Sequence, residues 1–217
     1  MEDIGAIGVL QDPVRRRLYE YVAGRGEPVS RNEAAAAVGI QRPLAAHHLD
    51  KMVAAGLLET ESRRLSGRSG PGAGRPAKLY RRAAAERQIS LPPRDYRTAA
   101  DLLAQVAEEA RLDAALAAAA RRRGGLLRGD REPVCDLGDA AELLTARGYE
   151  PFDEDGVLRM RNCPFHALAE AYPPLVCGMN LALLEGLLGD SNRVRARIDP
   201  RPGLCCVAVE ASKTNEN

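Results

Sequence analysis

The chain has few reactive side chains. Its 217 residues include no tryptophan, two phenylalanines and three histidines. Nowhere is there a phosphate-binding glycine loop, a dinucleotide fingerprint or a metalloprotease helix motif. Two of the histidines, His47 and His48, are adjacent, which leaves His166, three residues after Cys163, as the only Cys/His pairing. A nucleophile–base pair needs a pocket and an oxyanion site as well, so the expectation is a protein that is not an enzyme. Long apolar runs are also missing. The longest are alanine patches such as "AALAAAA", too short to span a bilayer. The first residues, "MEDIGAIGVLQDP", have no basic segment ahead of their apolar ones, so a cytoplasmic protein with no membrane partner is expected. Five cysteines, an odd number with no Cys-x-x-Cys pair, argue against a disulfide framework and for metal, redox or plain burial.

Alanine, leucine and arginine are abundant, and charge is unevenly placed. Residues 1–82 hold 14 lysines and arginines against 9 carboxylates, whereas 83–217 hold 17 against 21. Residues 63–82 carry seven basic side chains and no acid. Such a block suits an anion-binding module, although a solvated loop has the same composition.

Three helices are expected early. "DPVRRRLYEYVAGRG" starts with Asp12 as N-cap and Pro13 in the first turn, and Val14, Leu18, Tyr21 and Val22 fall on one face. "SRNEAAAAVGI" places Ser30 and Glu33 as a capping box and ends at Gly39. "QRPLAAHHLDKMVAAGLLE" follows at once, with Ala45, Leu49, Met52 and Val53 as its buried stripe. Two short helices across a tight glycine turn form a helix-turn-helix pattern. Gln41, Arg42, His47 and Lys51 then face outward, and Arg and Gln are the types that bond guanine and adenine edges. His48 is expected at the core edge or on a phosphate. A β-hairpin with a basic tip follows, offering Arg63, Arg64, Arg68, Arg75 and Lys78 to phosphates or a minor groove.

This order of elements, with "AAHHLDKMVAAGLLE" and "GAGRPAKLY", resembles the winged-helix transcriptional regulators of the ArsR-like kind over residues 5–85. The resemblance implies binding of double-stranded DNA at a two-fold operator by a homodimer.

From Arg94 to Arg123 no proline or glycine interrupts a run rich in alanine and leucine. One long helix is expected there, with Leu102, Val106, Leu112 and Leu116 as an apolar stripe. It serves either as a connector or as a dimerisation helix. "RRRGGLLRGDREP" is expected to break it as a linker.

After Cys135, itself expected as an inert core thiol, the pattern turns mixed. A capped helix, two pairs of short strands and the apolar helix "PPLVCGMNLALLEGLLG" predict a small sheet with that helix against it. The whole is thus expected to be α+β and mainly helical. Residues 1–85 form a winged helix-turn-helix, 86–130 a linking or dimerisation helix, and 131–217 a small α/β sensor domain.

Cys163, Cys177 and Cys205 or Cys206 come from three separate segments and can converge. Thiolate sets of that kind suit zinc or iron–sulfur sites, with His166 as a further ligand. Inert burial is the alternative for each cysteine singly. Because neighbours on a strand face opposite ways, one of Cys205 and Cys206 is expected at a shared site. "NCPFHALAEAYPPLVCGMN" followed by a late cysteine resembles the C-terminal half of SufR-type regulators. That resemblance implies a repressor whose Cys163, Cys177 and one of Cys205/Cys206 hold an iron–sulfur cluster that controls DNA affinity. Zinc, or a ligand-binding domain with no metal, remains the alternative.

Overall fold

Capping side chains set several element boundaries in the computed structural model of the chain, which describes residues 2–63 and 76–212. The chain divides into two units, Met1–Arg94 and Asp95–Asn217. Helices take about half of it, and the rest is short antiparallel strands and loops.

In the first unit, α1 (Glu2–Gly8) and a 3-10 turn (Val9–Gln11) precede α2 (Pro13–Ala23). The Asp12 carboxylate accepts the backbone N–H groups of Val14 and Arg15 at 2.9 and 3.0 Å and so starts α2. Strand β1 (Val29–Ser30) leads into α3 (Arg31–Val38), where Ser30 accepts the Glu33 N–H at 3.2 Å. The Glu33 carboxylate also accepts from the Tyr21 hydroxyl and Arg25. Gly39 ends α3 at φ +72°, a conformation glycine adopts without strain. Helix α4 (Arg42–Ala54) then leads to β2 (Leu58–Arg63) and β3 (Ala77–Arg82), the two arms of the wing. The sheet order is β1-β3-β2, antiparallel throughout. Leu18, Val22, Ala45, Leu49, Met52, Leu58 and Tyr80 are buried in its core.

The second unit opens with α5 (Tyr96–Glu109) and α6 (Asp113–Arg128), two helices where the sequence suggests one. The break is a Schellman turn. Leu112 N–H bonds Ala107 O at 2.9 Å, Arg111 N–H bonds Glu108 O at 3.0 Å, and Arg111 takes φ +54°. An arginine stands where glycine is customary, so composition gave no sign of the stop. The opposite correction applies at Gly124 and Gly125, expected to break the helix but lying inside α6. Gly124 is needed for packing. α6 runs against α9 (Pro173–Leu188), and a Cβ on Gly124 would collide with the Leu183 carbonyl. A Cβ on Gly186 would likewise collide with the Arg121 carbonyl.

Between them lie α7 (Leu137–Thr145), β4 (Pro151–Glu154), β5 (Val157–Met160) and α8 (His166–Ala171), and after α9 come β6 (Val194–Ile198) and β7 (Val207–Ala211). The four strands pair antiparallel in the order β4-β5-β7-β6, and α9 lies against β6 and β7. Tyr149, Met160, Leu184, Leu187, Leu188, Val207 and Val209 are buried in the core between them. Arg159 of β5, almost fully buried, pairs with Glu154 at the end of β4 at 2.5 Å and with Asp199, just after β6, at 2.7 Å.

Gly124→Ala and Gly186→Ala should each destabilise the second unit by about 1–3 kcal/mol, because a methyl group forces two backbones apart. Gly125→Ala meets nothing within 4 Å and should stabilise it by about 0.5–1 kcal/mol. Urea unfolding of the three variants checks the contrast.

Candidate nucleic-acid interface and cysteine cavity

Helix α4 buries Ala45, His48, Leu49 and Met52 and turns its other face to solvent. Gln41, Arg42, His47 and Lys51 are all exposed, as their positions predict. Gln41 stands at the N-cap with extended backbone and makes no capping bond, so its amide is not engaged there. Among the described residues neither Arg42 nor Lys51 forms an ion pair. His48 is 8% exposed, and burial lowers its pKa, with Asp12 opposing that shift. Its place is therefore the core edge. Leu44, not anticipated, is exposed in the first turn of α4.

The wing arms carry the other expected contacts. Lys78 is turned back onto α4, with its ammonium 2.6 Å from the Asp50 carboxylate, which also accepts the Tyr80 hydroxyl at 2.9 Å. Burial works against ionisation of Asp50, but the bonds from Lys78 and Tyr80 outweigh it and hold the carboxyl below its usual range. Burial first, then the bond to Asp50, pushes the Tyr80 phenol up to about 12. Arg63 lies 3.8 Å from Glu27 and 3.9 Å from Glu61, exposed pairs that a phosphate can displace at little cost. Arg64, Arg68 and Arg75 lie outside the described residues.

Residues 10–61 match the model of a family described as "Helix-turn-helix domain". The N-terminal unit carries a helix-turn-helix domain. Among curated proteins and among solved structures, none matches the chain. The matched segment holds α2, α3 and α4 of the helix-turn-helix domain and most of the first wing strand, with Gln41, Arg42, His47 and Lys51 inside it. No helix among the described residues is long and apolar enough to cross a membrane.

In the second unit a cavity of about 170 Å³ is lined by Cys163, Cys177, Cys205 and Cys206, with His166 and Glu170 at its side. Three segments meet there: the loop before α8, the first turns of α9, and the approach to β7. Cys177 and Cys206 are joined in a disulfide with their Cα atoms 6.2 Å apart. The odd cysteine count therefore concealed a pair. Cys205 and Cys206 precede the strand, so alternation does not apply and both reach the cavity. Cys135 is an exposed thiol outside the cavity, not a core group, with its Sγ 3.3 Å from the Pro133 carbonyl. His166 is well exposed and lies 3.3 Å from Glu170.

The two free thiols are organised by each other and by an amide. The interaction of Cys163 and Cys205 with each other is the largest influence on both. It pushes Cys163 up and draws Cys205 down, with burial adding to the first shift and opposing the second. Asn180, fully buried, donates from Nδ2 to Cys205 Sγ at 3.4 Å and, more weakly, to Cys163 Sγ at 3.9 Å. Its Oδ1 accepts the Tyr149 hydroxyl at 2.6 Å, which fixes the amide's orientation. Burial first, and then the adjacent thiols, raises the Tyr149 phenol. A polar Asn inside "PPLVCGMNLALLEGLLG" was the one sequence signal for this network.

Tyr149→Phe and Asn180→Leu should each cost about 1–3 kcal/mol by stranding a buried polar partner, while the double variant should cost clearly less than their sum. Denaturant unfolding of the four proteins measures that coupling.

Proposed function

We propose that this chain is a DNA-binding transcriptional regulator, a repressor, whose cysteine cavity senses redox state and, once reduced, takes up an iron–sulfur cluster. The DNA-binding half rests on the helix-turn-helix domain and on the exposed Gln41, Arg42, His47 and Lys51 of α4. Arginine or glutamine at a recognition-helix start reads a base edge through paired hydrogen bonds, and wing cations neutralise phosphates. The chemistry offered is binding, which supports a regulator over an enzyme.

The sensing half rests on one observation, four sulfur atoms from three segments lining one cavity. Among the described residues no group of three or more His, Cys, Asp and Glu side chains is arranged to hold a metal. With Cys177 and Cys206 bonded, only two of the four cavity cysteines are free thiols. A dithiol reductant that passes two electrons and two protons to that bond, becoming a disulfide itself, returns two more. Four thiols fit the donor count of a thiolate-held cluster, and soft sulfur selects iron–sulfur or zinc over hard cations. Cys163, Cys177, Cys205 and Cys206 are the residues that would hold it, and His166 a nearby nitrogen donor. A bound cluster would supply one-electron chemistry sensitive to oxygen. Zinc at the same donors is the alternative, favoured if no sulfide accompanies the metal.

Dimerisation has its own support. None of α5's residues is buried in the single chain, and Leu102, Leu103 and Val106 are more than half exposed. A second copy of that helix would cover the face and present two recognition helices to a two-fold site.

Protein purified without oxygen, compared with Cys163→Ser, tests the cavity through its absorbance, iron, acid-labile sulfide, zinc and alkylatable thiols. Iron with sulfide, both lost in the variant, is expected; a metal-free protein that takes up neither metal after reduction contradicts the cluster. Leu103→Glu with Val106→Glu should convert a dimer to a monomer in sedimentation, and an unchanged mass would remove α5 as the interface.

A further inference from the structure

Helix α4 places a leucine among polar groups at the end where base edges are read. Leu44 is 44% exposed. It follows Gln41, Arg42 and Pro43, all exposed, and precedes Ala45, the first residue of the helix's buried face. At helical spacing Leu44, His47 and Lys51 form one stripe, apolar at its N-terminal end and cationic at its C-terminal end. Pro43 fixes the backbone of that first turn, so Leu44 is held in place rather than frayed.

A lone exposed leucine is ordinary on a protein surface. Here, however, it lies in the segment matched by the helix-turn-helix family and in the turn whose residues meet base edges. The major groove offers one apolar group to such a side chain, the C5 methyl of thymine. Adenine, guanine and cytosine present only donors and acceptors at that depth, and an aliphatic side chain would strip water from them without replacing the bonds.

We propose that Leu44 is a specificity-determining residue that selects a thymine in each half-site by contact with its methyl group. Arg42 and Gln41 supply the hydrogen-bonded readout of neighbouring base pairs, and Leu44 adds an apolar one. This inference rests on the DNA-binding reading above.

The test uses the full chain. Wild type is used to select its preferred duplex from a random pool. In that duplex each thymine is then replaced singly by deoxyuridine, which removes only the methyl group. Dissociation constants are measured for wild type, Leu44→Ala and Leu44→Met. One thymine per half-site should be found whose methyl loss weakens wild type and Leu44→Met about fourfold, the value of one buried methyl-sized group. Leu44→Ala should bind the thymine and deoxyuridine duplexes within about twofold of each other. Its side chain lies on the surface, so folding survives, and an unchanged melting temperature checks this. Equal methyl effects in wild type and Leu44→Ala overturn the proposal. So does a change of oligomeric mass in Leu44→Ala with no change in the deoxyuridine scan, which would assign Leu44 to a protein contact. If wild type enriches no duplex, the DNA-binding reading itself fails, a result distinct from either of these.

Discussion

The second unit depends on how closely α6 and α9 approach each other. Two glycines, Gly124 and Gly186, let the backbones meet where any side chain would hold them apart. Dispersion contacts grow steeply as surfaces close, so this approach makes the helix pair a stiff layer behind the sheet. Arg121 on α6 is also paired with Glu185 on α9. The rest follows from where α9 is thereby fixed. Its C-terminal half supplies Leu184, Leu187 and Leu188 to the core, while its N-terminal half brings Cys177 to the cavity and Asn180 to the cavity's two free thiols. A rigid helix that positions one sulfur and one amide is a suitable platform for a site whose other sulfurs come from loops.

Within the first unit the comparable constraint is electrostatic. Asp50, on α4, accepts from Lys78 and Tyr80 of β3 and so ties the recognition helix to the wing. One consequence is a division of labour among the basic residues. Lys78 is spent on internal geometry, whereas Arg42 and Lys51 have no carboxylate partner among the described residues. For a domain that reads base edges and phosphates together, a fixed angle between helix and wing is worth more than one additional loose cation.

Local chemistry made much of this legible in the sequence. Asp12, Ser30 and Gly39 set boundaries through bonds they make with their own neighbours, so the helix-turn-helix order could be read directly. The two pairs of short strands expected after Cys135 likewise correspond to the four-stranded sheet of the second unit. Features that depend on distant partners were not readable. Arg111 occupies a left-handed position that glycine usually marks, so the stop between α5 and α6 carried no signature. Gly124 and Gly125 looked like a breaker because α9, the reason for Gly124, lies some sixty residues away. The three cysteine segments do meet at one cavity. Their pairing was not legible, because it depends on a loop bringing both Cys205 and Cys206 to the same cavity ahead of β7.

The proposed coupling is between the state of the cysteine cavity and DNA binding by the helix-turn-helix domain. It is tested most directly by the affinity of the full chain for its selected duplex, measured by fluorescence anisotropy on thiol-reduced and oxidised protein, with Cys177→Ser alongside. Affinities should differ by about tenfold or more between the two states, and a Cys177→Ser protein should no longer distinguish them. Equal affinity of the wild type in both states would contradict it, leaving a DNA-binding protein whose cysteines serve structure alone.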